Sequence, residues 1–144
     1  MYSKIKSHCD SLAGLFPSIA EERKATLSKI GEYIQSKKDQ QLPVRLVYIC
    51  THNSRRSHFG QIWSAVAASY YDLSGIHTFS GGTEETAFNK SAIQALRDTG
   101  FEISTEFQSG NPEYTVRFGD KESCSCFSKT YDDTVNPQEK FAAI

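Results

Sequence analysis

A chain of 144 residues, 38% hydrophobic and 23% charged with a formal net charge of −1, has the composition of a globular domain long enough to bury about two-thirds of its unfolded surface. Nothing in that balance suggests nucleic acid. No apolar run approaches the ~18 residues of a membrane span, and the opening MYSKIKSHCDSLAG has no continuous apolar centre of a secretory signal. The chain therefore reads as cytoplasmic, with Cys9, Cys50, Cys124 and Cys126 as free thiols rather than a secreted disulfide framework.

Ile5, Cys9, Leu12 and Phe16 recur at helical spacing and predict a short amphipathic helix ending near Pro17. A second helix is expected from Ser18, whose spacing to Glu21 suits a capping box, with Leu27, Ile30 and Ile34 as its apolar stripe. It runs out in KKDQQ before Pro43. VRLVYI (44–49) reads as a buried parallel strand, followed by a polar loop and a helix with Phe59, Ile62, Trp63, Val66 and Tyr70 on one face. IHTFS (76–80) reads as a second strand stopped by Gly81 and Gly82. Asn89 then caps a helix carrying Ile93 and Leu96 and closed by Gly100. This β-α-β-α order predicts an α/β sheet. EYTVRF (113–118) and SCSCFSK (123–129) flank the turn-like GDKE as an antiparallel edge hairpin, and KFAAI reads as a strand cut off partway. No internal repeat is present.

The chemistry concentrates in CTHNSRRS, a C-x5-R-S pattern between strand and helix. That spacing lets the backbone N–H groups of Thr51, His52, Asn53, Ser54, Arg55, Arg56 and Ser57 curl around one tetrahedral oxyanion, with the positive end of the following helix added. Cys50 at the base of such a cradle, beside the Ser57 hydroxyl and a guanidinium, is favoured as thiolate and is a nucleophile at neutral pH. The planar fork of Arg56 grips two oxygens of a phosphoryl group. A Walker-type nucleotide loop is disfavoured, since no G-K-[ST] follows. His8 with Cys9 lacks metal-ligand spacing, and neither metal nor cofactor is implied.

With the strand VRLVYI before it and FSGGTEETAFNKSAIQALRDTGFEIS after it, this loop resembles the low-molecular-weight protein tyrosine phosphatases and the thioredoxin-coupled arsenate reductases that share their fold, over residues 44 to about 104. The resemblance implies Cys50 as nucleophile, Arg56 as binder of the transferred group, Ser57 as the hydroxyl that stabilises the thiolate, and Asn53 as a loop support hydrogen-bonded to Ser80. It also implies an open, mainly parallel twisted sheet with helices on both faces in residues 44–144, incomplete at the C-terminus. Residues 1–43 form a helical extension with no counterpart in minimal members, fitted for packing, a homodimer contact or a partner.

The chain departs from the family pattern at several points. His52 stands where members commonly have glycine, which suggests a positive φ there, and Arg55 stands where many have a second cysteine, so no loop disulfide forms. Arg55 either favours an acidic substrate or is simply solvated. The family's general acid, an Asp-Pro, is absent; Asp132 and Asp133 are read as structural and Asp120 as a turn residue. His58 either starts the helix beside the loop or faces solvent, and Phe88, Phe107, Tyr114 and Tyr131 are read as core rather than pocket wall.

Three functions follow. The first is hydrolysis of a phosphotyrosine-containing protein or small aryl phosphate through a cysteinyl-phosphate. The second is thioredoxin-dependent arsenate reduction, which needs further redox cysteines; Cys124 and Cys126, on one face of a strand, read instead as small apolar fillers. The third is a phosphate-binding module impaired by the missing acid.

Overall fold

The structure, a computed structural model, describes residues 1–144. It is an α/β fold with a three-stranded parallel sheet, a separate three-stranded antiparallel sheet and four α-helices. In chain order these are α1 (Ser3–Ala13), a 3-10 turn (Phe16–Ser18), α2 (Glu21–Asp39), β1 (Val44–Cys50), α3 (Arg56–Tyr70), β2 (Ile76–Gly82), α4 (Lys90–Thr99), β3 (Glu102–Ser104), β4 (Tyr114–Gly119), β5 (Glu122–Cys126) and β6 (Ala142–Ala143).

The parallel sheet has the order β2-β1-β6, with Val44 opposite Ile76 and Cys50 opposite Gly82. β1 is central, and Val44, Leu46 and Val47 are fully buried, as an apolar β-branched strand with neighbours on both edges should be. The KFAAI segment does form a strand: Ala142 and Ala143 pair with Leu46 and Val47, and Ile144 exchanges backbone hydrogen bonds with Val47 and Ile49. α3 packs on β1 and β2. Its Gly60 is required there, since a Cβ would stand 2.3 Å from the Tyr48 ring.

β2 does not stop at Ser80. Gly81 and Gly82 continue it because neighbouring backbone passes too close for any side chain: a Cβ on Gly81 would lie 2.4 Å from Tyr131 Cα, and one on Gly82 would lie 2.6 Å from Asn53 N. These glycines serve close approach, not termination. α4 begins and ends as its sequence predicts. The Asn89 side chain accepts from the N–H groups of Ser91 and Ala92, and Gly100 closes the helix in the left-handed region at φ 114°.

The hairpin of β4 and β5 forms, but in the second sheet, order β3-β4-β5, with β4 in the middle. β3 fell to no strand pattern in the sequence, since three residues are too few for alternation to register. Ile103, Val116, Phe118, Cys124 and Cys126 of this sheet meet Ile62, Val66, Ile93 and Leu96 of the helices in one core.

α1 belongs to that core through Ile5, which is fully buried, and through Tyr2 N, which donates to Phe118 O at 2.7 Å. α2 has no fully buried residue; its Leu27, Ile30 and Ile34 line an apolar groove over β1 and α3. The capping box expected at Ser18 and Glu21 is not made. Pro17 sets a 3-10 turn, the Ser18 hydroxyl donates back to Leu15 O at 2.7 Å, and Ala20 takes the N-cap position without a side-chain bond. No helix is long and apolar enough to cross a membrane.

Candidate active site

Cys50 is the last residue of β1, and the loop Thr51–Arg55 turns from it into the N-terminus of α3. Cys50, His52, Ser54, Arg55, Arg56, Thr86 and Asn89 line one polar cavity of about 150 Å³. That is several times the roughly 30 Å³ of a water molecule, so a tetrahedral oxyanion fits. None of the five ion pairs in the molecule engages Arg55 or Arg56. Arg55 and Arg56, both exposed and neither held in an ion pair, therefore line the same cavity as Cys50.

The other expected loop residues act from behind. Asn53 and Ser57 are buried, and Thr51 turns its carbonyl to Glu84 N at 2.8 Å. Their hydrogen bonds form a directed relay. Lys129 N donates to Asn53 Oδ1 at 3.0 Å, which fixes the amide; Asn53 Nδ2 donates to Ser57 Oγ at 2.8 Å; and Ser57 Oγ lies 3.1 Å from Cys50 Sγ. Once the sulfur is ionised it can only accept, and the Ser57 hydroxyl, oriented by Asn53, donates its proton to it. Desolvation of the sulfur works against ionisation, but the Ser57 hydroxyl and the backbone N–H groups of Ser57, Ser54 and Asn53 outweigh it, and Cys50 is held below the ordinary thiol range.

Three expectations are corrected here. The positive φ belongs to Asn53 (φ 40°), not to His52; asparagine tolerates the left-handed region, and its side chain is anchored at both ends. Asn53 does not bond Ser80. The Ser80 hydroxyl donates to Gln61 Oε1 at 2.6 Å and its carbonyl accepts from Asn136 Nδ2 at 3.2 Å, so Ser80 braces β2 rather than the loop directly. Of the two readings of His58, the helix start holds and exposure does not: it lies in the first turn of α3, fully buried, stacked on Phe88 at 4.1 Å, with Nε2 3.2 Å from Phe127 O, and burial pulls its pKa down to about 4.

Around the mouth, His52 stands 3.4 Å from Glu84. No aspartate or glutamate lines the cavity. Asp133 Oδ1 accepts from Val135 N at 2.9 Å in a local turn, and Asp120 sits in the turn between β4 and β5. Phe88 is in the core with Tyr114 against it, while Phe107 and Tyr131 are exposed, so the reading of all four as core holds for two. Cys124 and Cys126 are buried on one face of β5, and burial pushes Cys124 up to about 11 and Cys126 well above the ordinary thiol range. Neither lines the cavity.

Several supports escaped the sequence: Thr86, Ser128 and Lys129 hold the loop from distant segments, and Gln61 and Asn136 hold Ser80 of the neighbouring β2. Only the polar run after an apolar strand in CFSKT hinted at any of them. No protein-family model, curated protein or solved structure matches the chain.

Proposed function

We propose that the protein is a cysteine-dependent phosphomonoester hydrolase of the low-molecular-weight protein tyrosine phosphatase type. The observation that carries this reading is the hydrogen-bond relay ending on Cys50, which lines a polar cavity together with Arg55 and Arg56, neither of them held in an ion pair. In the first step the Cys50 sulfur attacks phosphorus, a P–S bond forms and the P–O ester bond breaks. The leaving alkoxide or phenoxide takes a proton from water. Loop amides and the Arg56 fork stabilise the charge on the equatorial oxygens. In the second step water attacks phosphorus, releasing inorganic phosphate and restoring the thiolate.

The parallel sheet with its strand-loop-helix unit fits the open, twisted sheet with helices on both faces that this family builds. The absence of a carboxylic acid from the cavity lining favours substrates with good leaving groups, aryl phosphates above alkyl ones. Buried, neutral Cys124 and Cys126 speak for hydrolysis over arsenate reduction, which needs thiols that can be reached and ionised. Cys50→Ser tests the reading. Turnover of p-nitrophenyl phosphate is expected to vanish with an unchanged circular dichroism spectrum. Undiminished turnover overturns it, and a parent chain that binds phosphate without hydrolysing the ester marks a binding module instead.

A further inference from the structure

The amides of an anion-binding loop are aimed by their carbonyls, because the C=O and N–H of one trans peptide point in opposite directions. Here the loop carbonyls are held from outside. Cys50 O accepts from Thr83 N (3.1 Å), Thr51 O from Glu84 N (2.8 Å) and Thr83 Oγ1 (3.2 Å), and Ser54 O from Asn89 N (3.0 Å). The His52 carbonyl is held by two side chains, accepting from Thr86 Oγ1 and Ser128 Oγ, each at 2.9 Å, which uses both of its lone pairs. The peptide that carries this oxygen carries the N–H of Asn53, one of the amides that favour the Cys50 thiolate.

The donors are themselves fixed. Ser128 Oγ accepts from Thr86 N at 2.9 Å, so its proton is left for the His52 oxygen. Asn111 grips the Ser128 backbone from both sides, accepting from its N–H at 3.1 Å and donating to its carbonyl at 2.7 Å. The next residue, Lys129, donates its N–H to Asn53 Oδ1, and its carbonyl accepts from Gly82 N at 2.9 Å. Ser128 is fully buried and lines no part of the cavity, so it cannot serve substrate directly.

We propose that Ser128 and Thr86 are positioning residues of the oxyanion cradle: together they lock the peptide between His52 and Asn53 with its N–H turned to Cys50, which makes the exit of the antiparallel sheet a strap across the loop. The structural part stands on the hydrogen bonds alone. Only its catalytic consequence rests on the reading of Cys50 as a nucleophile.

The test compares Thr86→Val, which removes a hydroxyl at an exposed position, with Thr86→Ser, which keeps it, and adds Ser128→Ala. The first readout is the pH midpoint of Cys50 alkylation by iodoacetamide, followed on the Cys50 peptide by mass spectrometry. The second is kcat and KM for p-nitrophenyl phosphate. Losing one of two hydroxyls on the His52 carbonyl is expected to raise the midpoint in Thr86→Val and Ser128→Ala and to lower kcat about threefold to tenfold, while Thr86→Ser keeps the parent's midpoint. An unmoved midpoint in Thr86→Val overturns the strap. If Ser128→Ala does not fold, the Thr86 pair decides alone. If the parent hydrolyses no ester, the hydrolase reading fails while the alkylation midpoint still decides the strap.

Discussion

Replacing Ser57 by alanine removes the last donor of the relay and nothing from the cavity wall. Ser57 Oγ sits 3.1 Å from Cys50 Sγ and accepts from Asn53 Nδ2, and its proton is donated to the sulfur when the sulfur is a thiolate. A hydrogen bond to an ionised group contributes about 1.5–3 kcal/mol. Cys50 is partly exposed and water replaces part of the loss, so the low end applies: about 1.5 kcal/mol, or roughly tenfold in the ratio of thiolate to thiol. The sign follows from the direction of the shift. The hydroxyl holds the thiol below its ordinary range, so its removal raises the midpoint. At pH values below that midpoint, iodoacetamide therefore alkylates Cys50 about tenfold more slowly in Ser57→Ala, and at high pH the two proteins converge. The variant also leaves the buried Asn53 Nδ2 without an acceptor, which costs about 1–3 kcal/mol of folding stability. A folded Ser57→Ala protein whose alkylation profile overlays the parent refutes the reasoning.

Two further predictions concern the scaffold. Gly82→Ala pushes a Cβ to within 2.6 Å of both Asn53 N and Thr51 O, so urea unfolding should show a loss of about 1–3 kcal/mol, and an unchanged midpoint contradicts the close approach. For His58, burial holds the folded imidazole near 4 against the ordinary 6.5. The unfolded chain thus binds a proton between those values that the folded chain does not. Stability is complete above about pH 6.5 and declines by about 3 kcal/mol as pH falls toward 4. His58→Gln should flatten that part of the urea midpoint against pH, and an equally steep decline assigns the effect elsewhere.

Much of the fold was legible because it is written in local patterns. The apolar run 44–49, the Asn89 cap and the Gly100 close each declare an element through nearby residues alone. The loop was legible for the same reason, since Cys50, Arg56 and Ser57 lie within eight residues, and that short span brings Ser57 Oγ to Cys50 Sγ and Arg56 to the same cavity. What stayed hidden is what depends on tertiary approach. Gly81 and Gly82 look like a strand stop and are instead the places where Tyr131 and Asn53 come closest. The positive φ moved from His52 to Asn53 because Lys129 and Ser57 anchor the asparagine, and no local signal announces an anchor 76 residues away. His58 is polar and follows seven polar residues, yet Phe88 and Phe127 O enclose it. The capping box failed because Pro17 claimed Ser18 for the preceding turn.

The most direct measurement is a rapid quench of the protein turning over p-nitrophenyl phosphate, with the phosphoryl group located by peptide mapping. An acid-quenched covalent phosphate on Cys50, absent in Cys50→Ser, is the predicted result. Release of phosphate with no phosphoryl group on Cys50, or its appearance on another residue, contradicts the account.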